Sequence, residues 1–245
     1  MTDSETEGSR GTLTLVSTPI GNLSDVTLRA LDVLRNADAV LAEDTRHSRK
    51  LLAHHGIATR TLIAYHDHNK QRVTPGIIDR LRSGQNIALV SDAGTPGVSD
   101  PGFYLVRAAL EAGVHVTAAP GANAILPALV LSGFPTDAFV FEGFPPRKKG
   151  ELGRAVEALA AERRTTVFFV SPHRLKAVLQ ALAERLPERP LAIARELTKL
   201  HEEVVRGTAT ELLAHFGGAK VKGEIVLLVR GVGRRQKRER SAADP

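Results

Sequence analysis

The stretch NIALVSDAGTPGVSDPG, residues 86–102, runs from an apolar segment straight into a loop of Gly, Pro and Asp. Asn86 to Val90 shows no polar alternation, the pattern of a strand covered on both faces. Phe103-Tyr-Leu-Val-Arg-Ala-Ala-Leu110 then repeats apolar residues at helical spacing. Strand, loop and helix in that order predict a parallel α/β sheet. The loop itself is too long for a plain connection, which needs about 2–6 residues. Ligands of open α/β sheets lie beyond the carboxyl ends of the strands. Glycine allows close backbone approach there, and amides at a helix start donate hydrogen bonds. Asp92, just past the strand, is placed to accept from a ligand's ammonium or hydroxyls, whereas Asp100 is expected to cap the next helix.

The same alternation extends in both directions. Strands are predicted at Leu13–Ser17, Ala39–Ala42, Thr61–Tyr65, Asn86–Val90 and Val114–Ala118. Helices are predicted at Thr27–Leu34 and Thr45–His55, from Thr74–Pro75 to Gly84, and from Asp100–Pro101 to Gly113. A helix at Asn123–Leu131 and a break at Gly133-Phe-Pro-Thr136 precede a second series. That series has strands at Ala138–Phe141, Thr166–Val170, Leu191–Arg195, Glu202–Arg206 and Glu224–Val229. Its helices are expected at Glu151–Ala161, Leu175–Leu186 and Thr208–Phe216. The expected fold class is α/β, with one α/β domain over residues 11–122 and another over 123–232. Residues 1–10 and the basic segment 233–245 are expected to be disordered tails.

Composition narrows the possibilities. Aromatic residues make up 4% with no Trp, so the cores must be aliphatic. The absence of Cys excludes disulfides and thiolate metal sites and suits a reducing cytosol. No apolar run is long enough to span a bilayer, and the first ten residues lack the basic and apolar regions of a signal peptide. A cytoplasmic protein with no membrane partner is expected. Of the net charge of +6, residues 230–245 carry +4, from six Lys/Arg against Glu239 and Asp244. Basic clusters also follow strand ends at Arg46-His-Ser-Arg-Lys50, Arg147-Lys-Lys149 and His173-Arg174, which favours a nucleic-acid partner.

Two shorter loops share the character of the long one: Ser17-Thr-Pro-Ile-Gly-Asn22 and Pro120-Gly-Ala-Asn-Ala124. Neither matches Gly-x-Gly-x-x-Gly, and no Walker loop occurs, which disfavours an ordinary dinucleotide or NTP site. His66-Asp-His-Asn69 contains metal-ligand types, but adjacent loop residues seldom chelate one ion unaided, and no metal is expected.

Six blocks carry a resemblance: Ser17-Thr-Pro-Ile-Gly-Asn-Leu23, Ala42-Glu-Asp-Thr-Arg-His47, the 91–102 loop, Ser171-Pro-His-Arg-Leu175, Arg195-Glu-Leu-Thr-Lys199 and Lys222-Gly-Glu224. In this order they resemble the signature of the ribosomal RNA small subunit methyltransferase I family, within the tetrapyrrole-methylase (class III) superfamily. The likeness runs from Leu13 to Arg230. It implies two α/β domains with a cofactor cleft between them, S-adenosyl-L-methionine as cofactor, and a homodimer. It also implies 16S rRNA or the small ribosomal subunit as partner, with methyl transfer to the ribose 2'-hydroxyl of a decoding-site cytidine. Carried over by position, the cofactor-binding residues are Pro19, Ile20, Gly21, Asp92, Gly94, Thr95, Gly121, Ala122, Asn123, Phe169 and Val170. Two places depart from the family: Ser is common where Asn123 stands, and Tyr-Glu where Phe169-Val170 stands. Asn keeps a polar contact, but Val170 removes any acid–base role at that position.

Such a reaction must align oxygen, methyl carbon and sulfur, and help remove a poorly acidic proton. Asp44, or else Glu43, is expected to orient or deprotonate the hydroxyl, and Lys199 to stabilise alkoxide character. The plainer alternatives are that Asp44 caps the helix at Thr45 and that Lys199 contacts a phosphate. Arg46, His47, Arg49, Lys50, Arg147, Lys148, Lys149, His173 and Arg174 are expected to position RNA phosphates, with solvated helix faces as the alternative. A tetrapyrrole methyltransferase is one rival reading, disfavoured by the basic rim. A non-catalytic RNA-binding ribosome-assembly module is another, disfavoured by the glycine-bearing loops.

Overall fold

The structure, a computed structural model, describes residues 11–58, 61–217 and 221–233. The expected tails at 1–10 and 234–245 lie outside the described residues. The chain divides into two compact units, the first ending at Asn123 and the second beginning at Ala124.

In the first unit, β1 (Thr12–Val16), β2 (Ala39–Ala42), β3 (Leu62–Ala64), β4 (Ile87–Val90) and β5 (His115–Ala119) form one sheet, ordered β3-β2-β4-β1-β5. Every pairing is parallel. The connecting helices are α1 (Leu28–Asn36), α2 (Thr45–His54), α3 (Lys70–Arg82) and α4 (Gly102–Glu111). Alternate strand residues enter different cores, as the two-residue period of a strand requires. Leu13, Leu41 and Leu89 pack with Ile77 and Leu81 of α3 and Leu105 of α4. Val16, Val40 and Val90 pack with Leu31 and Leu34 of α1 and Leu52 of α2. The chain crosses the sheet in one direction from β1 to β3 and in the other from β3 to β5. Right-handed crossovers then place α1 and α2 on one face and α3 and α4 on the other. Adjacent β1 and β4 thus send their crossovers to opposite faces, which makes the gap beyond their carboxyl ends a topological switch point.

One expected boundary is corrected. Helix α3 begins at Lys70, so Thr74 and Pro75 lie inside it rather than at its start. The Thr74 hydroxyl donates to the Lys70 carbonyl at 2.7 Å and bonds the buried Tyr65 hydroxyl at 3.0 Å, so it ties the helix to β3 instead of capping it. Pro75 deprives only the Gln71 carbonyl of a partner, and Gln71 is exposed to water.

The second unit contains α5 (Ile125–Ser132), β6 (Phe139–Phe141), α6 (Lys149–Ala158), β7 (Thr165–Val170), α7 (Pro172–Arg185), β8 (Leu191–Arg195), β9 (Glu203–Gly207), α8 (Ala209–Phe216) and β10 (Ile225–Val229). Its sheet runs β6-β7-β10-β8-β9 and is mixed: β6 pairs with β7 in parallel, and the other pairings are antiparallel. Helices α6, α7 and α8 share one core with Phe168, Ile193 and Leu227. Helix α5, absent from that core, contacts β8, β9 and β10. Gly133 ends α5 in the left-handed region at φ 73°, and the Arg206 Nε donates to the Ser132 carbonyl at 3.0 Å.

Two substitutions test this packing. Leu179→Ala, at a position with 0% exposure in the α6–α8 core, should cost about 2–5 kcal/mol in urea unfolding. Thr208→Ala removes the capping box of α8 and should cost about 1 kcal/mol. Equal losses would contradict the assignment of one site to the core and the other to a helix end.

Candidate functional site

Because the first sheet is wholly parallel, the loops after its strands all emerge at one edge. The loops after β1 and β4 are joined there by two backbone hydrogen bonds. Thr18 N–H donates to the Gly94 carbonyl, and Gly94 N–H donates to the Thr18 carbonyl, each at 2.9 Å. Beside them the Ser17 and Thr95 hydroxyls lie 2.9 Å apart, and the Thr18 hydroxyl donates to the Ser91 carbonyl at 3.3 Å. The loop after β5 closes on the same point. A Cβ on Gly121 would lie 3.0 Å from the Ser17 Cβ. Gly94, at φ 81°, faces Ile20 Cγ2 at 3.7 Å and both the Ala122 oxygen and the Asn123 Cα at 3.9 Å from where its Cβ would be. The structure therefore brings together Ile20, Gly94, Thr95, Gly121, Ala122 and Asn123 from three separate stretches of sequence. Pro19 and Ile20 are buried, and Gly21 is exposed.

The ends of β2 and β4 are clasped reciprocally. Asp92 Oδ1 accepts the Asp44 N–H at 2.9 Å, and the Asp92 N–H donates to the Glu43 carboxylate. Burial pushes the Glu43 carboxyl above its ordinary range, and the charges of Asp92, Asp100 and Asp67 push it further. Asp100 Oδ1 accepts from both Gly97 N–H and Gly102 N–H at 2.7 Å. Burial outweighs those bonds and raises its pKa as well. Asp44 has a different surrounding. Its carboxylate caps α2, accepting the Arg46 N–H at 2.8 Å and the Arg46 guanidinium at 2.7 Å. The Arg46 side chain holds it well below the usual carboxylate range.

Lys199, in the second unit, sits between Glu196 at 2.8 Å and Glu224 at 3.2 Å. Burial works against its charge, and the hydrogen bonds it donates to the two carboxylates outweigh that and raise the pKa. Val170 is buried in the α6–α8 core, and Phe169 packs edge-on against Phe141 at 4.8 Å. Arg49, Lys50, Arg147, Lys148, Lys149 and His173 are exposed. His47 is exposed 3.9 Å from the Asp44 carboxylate, and Lys148 pairs with Glu151 at 3.2 Å. Arg174 is half-buried and donates to the Pro146 carbonyl at 2.6 Å, so it braces a loop. The latch residues Ser17 and Thr18 are not among the sequence-predicted site residues. Their signal was the pair of hydroxyls opening the first glycine-bearing loop.

The family model described as tetrapyrrole (corrin/porphyrin) methylases matches residues 12–213. The chain belongs to that family. A relative from Halalkalibacterium halodurans named ribosomal RNA small subunit methyltransferase I is 49% identical over 224 residues, covering 91% of this chain and 77% of its own. One of the same name from Synechocystis sp. is 50% identical over 222 residues, covering 90% and 79%. The crystal structure of uroporphyrin-III-C-methyltransferase from Thermus thermophilus superposes with a TM-score of 0.64 at 26% identity, covering 90% of this chain and 94% of the other. The protein is thus a methyltransferase that uses S-adenosyl-L-methionine.

The β1–β4 edge fits such a cofactor. Gly94 and Gly121 leave backbone where side chains would intrude, and Glu43, Asp67, Asp92 and Asp100 set a negative field suited to a sulfonium and an ammonium. No helix among the described residues is long and apolar enough to cross a membrane.

Gly94→Ala forces a side chain into the left-handed region at the latch and should weaken S-adenosyl-L-methionine binding by about tenfold in calorimetry. Unchanged affinity would remove the latch from the site. Asp100→Asn keeps an oxygen for both backbone donors but cannot ionise. A raised acid contributes stability below its unfolded pKa that is lost as pH rises through the folded one. The variant should therefore gain on the wild type in urea unfolding as pH rises above the ordinary carboxylate range, and a pH-independent difference would refute this.

Proposed function

We propose that this protein transfers the methyl group of S-adenosyl-L-methionine to the ribose 2'-hydroxyl of a decoding-site cytidine in 16S rRNA. The observation that carries the reading is the convergence of the loops after β1, β4 and β5 on one acidic backbone cradle at the switch point. Relatives about half identical over most of the chain bear the name of a small-subunit rRNA methyltransferase, which supports RNA as the substrate. The exposed basic residues that follow β2 and β6 supply a surface for phosphates.

In this reading Pro19, Ile20, Gly21, Gly94, Thr95, Gly121, Ala122 and Asn123 wall the cofactor site. The free carboxylate oxygen of Asp92 accepts from the cofactor's ammonium or hydroxyls. Phe169 and Val170 are assigned to the cofactor by resemblance alone. When bound, the cofactor supplies a methyl group made electrophilic by its sulfonium. Glu43 takes the hydroxyl proton on its carboxylate. Its raised pKa makes it a better acceptor than Asp44, whose carboxylate is committed to Arg46 and the start of α2. Lys199, held between two carboxylates, acts as a brace for its loop rather than as an alkoxide partner. The protein is expected to act in the cytoplasm as a homodimer, on free 16S rRNA or on the small subunit.

Glu43→Gln should lower turnover by about 10²–10⁴ with cofactor and RNA affinities kept, whereas Asp44→Asn should act mainly on stability. Mass mapping of the methylated nucleotide, together with single-turnover rates, reads both. Turnover in Glu43→Gln within about twofold of wild type would eliminate Glu43 as the proton acceptor.

A further inference from the structure

The scarce aromatic residues of this chain are not spread evenly. Of eight Phe and two Tyr, five Phe fall between residues 139 and 169, on β6, on β7 or on the loop after β6. Phe168 belongs to the core, and Phe141 and Phe169 cover one another. Phe144 does neither. It meets Phe169 edge-on, with ring centroids 5.7 Å apart and planes at 60°, and stays 61% exposed.

A cavity of about 190 Å³ opens beside it, lined by Phe144, Arg147, Val170, Ser171 and Arg174 among others. This is smaller than the roughly 300 Å³ at which sites for whole drug-sized ligands begin, so it suits a single heterocycle. Its floor is apolar at Val170 and its rim is cationic. Arg147 is exposed and makes no ion pair among the described residues, and Lys149 follows two positions on. The acidic groups nearby in sequence are Glu142, which is exposed, and Glu151, which is paired with Lys148. Ser171, the N-cap of α7, makes no side-chain cap bond, so its hydroxyl is free to meet a polar base edge. The Arg174 guanidinium fixes the loop by donating to Pro146, so the wall is built before any ligand arrives.

An open aromatic face, a one-ring cavity, a free hydroxyl and a cationic rim are the parts with which proteins hold an unstacked base of single-stranded RNA. We propose that Phe144 and this cavity bind one unstacked base of the RNA substrate, with the base stacked on Phe144 and its neighbouring phosphate on Arg147. The proposal rests on the RNA-methylating function above and deepens it, since it sets Phe144 and Arg147, which lie in none of the six signature blocks, beside Ser171 and Arg174 of the fourth.

The test is equilibrium binding of the intact protein to a fluorescent single strand of decoding-region 16S rRNA and to the same strand annealed to its complement. Phe144→Ala and Phe144→Leu should each bind the single strand about tenfold more weakly, and Phe144→Tyr, which keeps the ring, within about twofold of wild type. Duplex binding, S-adenosyl-L-methionine affinity and sedimentation coefficient should stay unchanged in all three. Wild-type affinity in the Ala and Leu variants overturns the proposal and leaves the function standing. An equal loss on duplex, a loss of cofactor affinity or a change in oligomeric state also overturns it, assigning Phe144 to a phosphate surface, to the cofactor or to a second copy. A wild-type protein that neither binds nor methylates this RNA overturns the function itself, and this contact with it.

Discussion

Two backbone hydrogen bonds between Thr18 and Gly94 hold the first unit's edge in its functional shape. They join loops that lie more than seventy residues apart in sequence, beyond the carboxyl ends of two neighbouring strands whose crossovers go to opposite faces. Neither bond involves a side chain, so what the sequence must provide is backbone freedom. Gly94 supplies it by adopting φ 81°, and Gly121 by letting the third loop come within a Cβ's radius of Ser17. The carboxylates then take positions fixed by this frame. Asp92 and Glu43 each accept an N–H from the other's strand end, so the acidic groups face one another without moving apart.

That arrangement sets an electrostatic contrast within a basic protein. The chain is formally +6, yet at the edge of the first sheet burial and three neighbouring carboxylates, Asp92, Asp100 and Asp67, raise Glu43. A cationic methyl donor and a polyanionic substrate need opposite fields. Here Glu43 and Asp100 are half-buried and Asp67 and Asp92 exposed, and the basic groups stand out in solvent at Arg49, Lys50, Arg147 and Lys149. Partly buried charges are screened less than exposed ones, whose field weakens with salt.

In the second unit the same economy appears as strain held by ion pairing. Glu196 and Thr198 both lie at positive φ, 53° and 66°, in the loop after β8. Glu196 is fixed there by accepting from Lys199 and from the Glu224 N–H, and it packs so closely on Gly223 that a Cβ there would lie 2.3 Å from its carboxyl carbon. The blocks Arg195-Glu-Leu-Thr-Lys199 and Lys222-Gly-Glu224 are thus one structural unit.

Much of this was legible in the sequence. The apolar run Ile87–Val90 and its loop announced a strand buried on both faces, and the helical stripe Leu28, Leu31 and Leu34 marked α1, because side-chain periodicity is set by local backbone geometry. The loops that converge at the β1–β4 edge were also marked by their glycines. Strand order and direction were not, since β10 inserts antiparallel between β7 and β8 through pairings that no local pattern encodes. Nor was the start of α3, where Thr74 reads as a cap but is drawn inward by Tyr65. On paper Asp44 ranked ahead of Glu43 as the group to meet the hydroxyl, and no local pattern showed how their surroundings differ. Only the folded chain separates them, because a carboxylate's affinity for a proton depends on which charges and amides the tertiary structure places within a few ångströms of it.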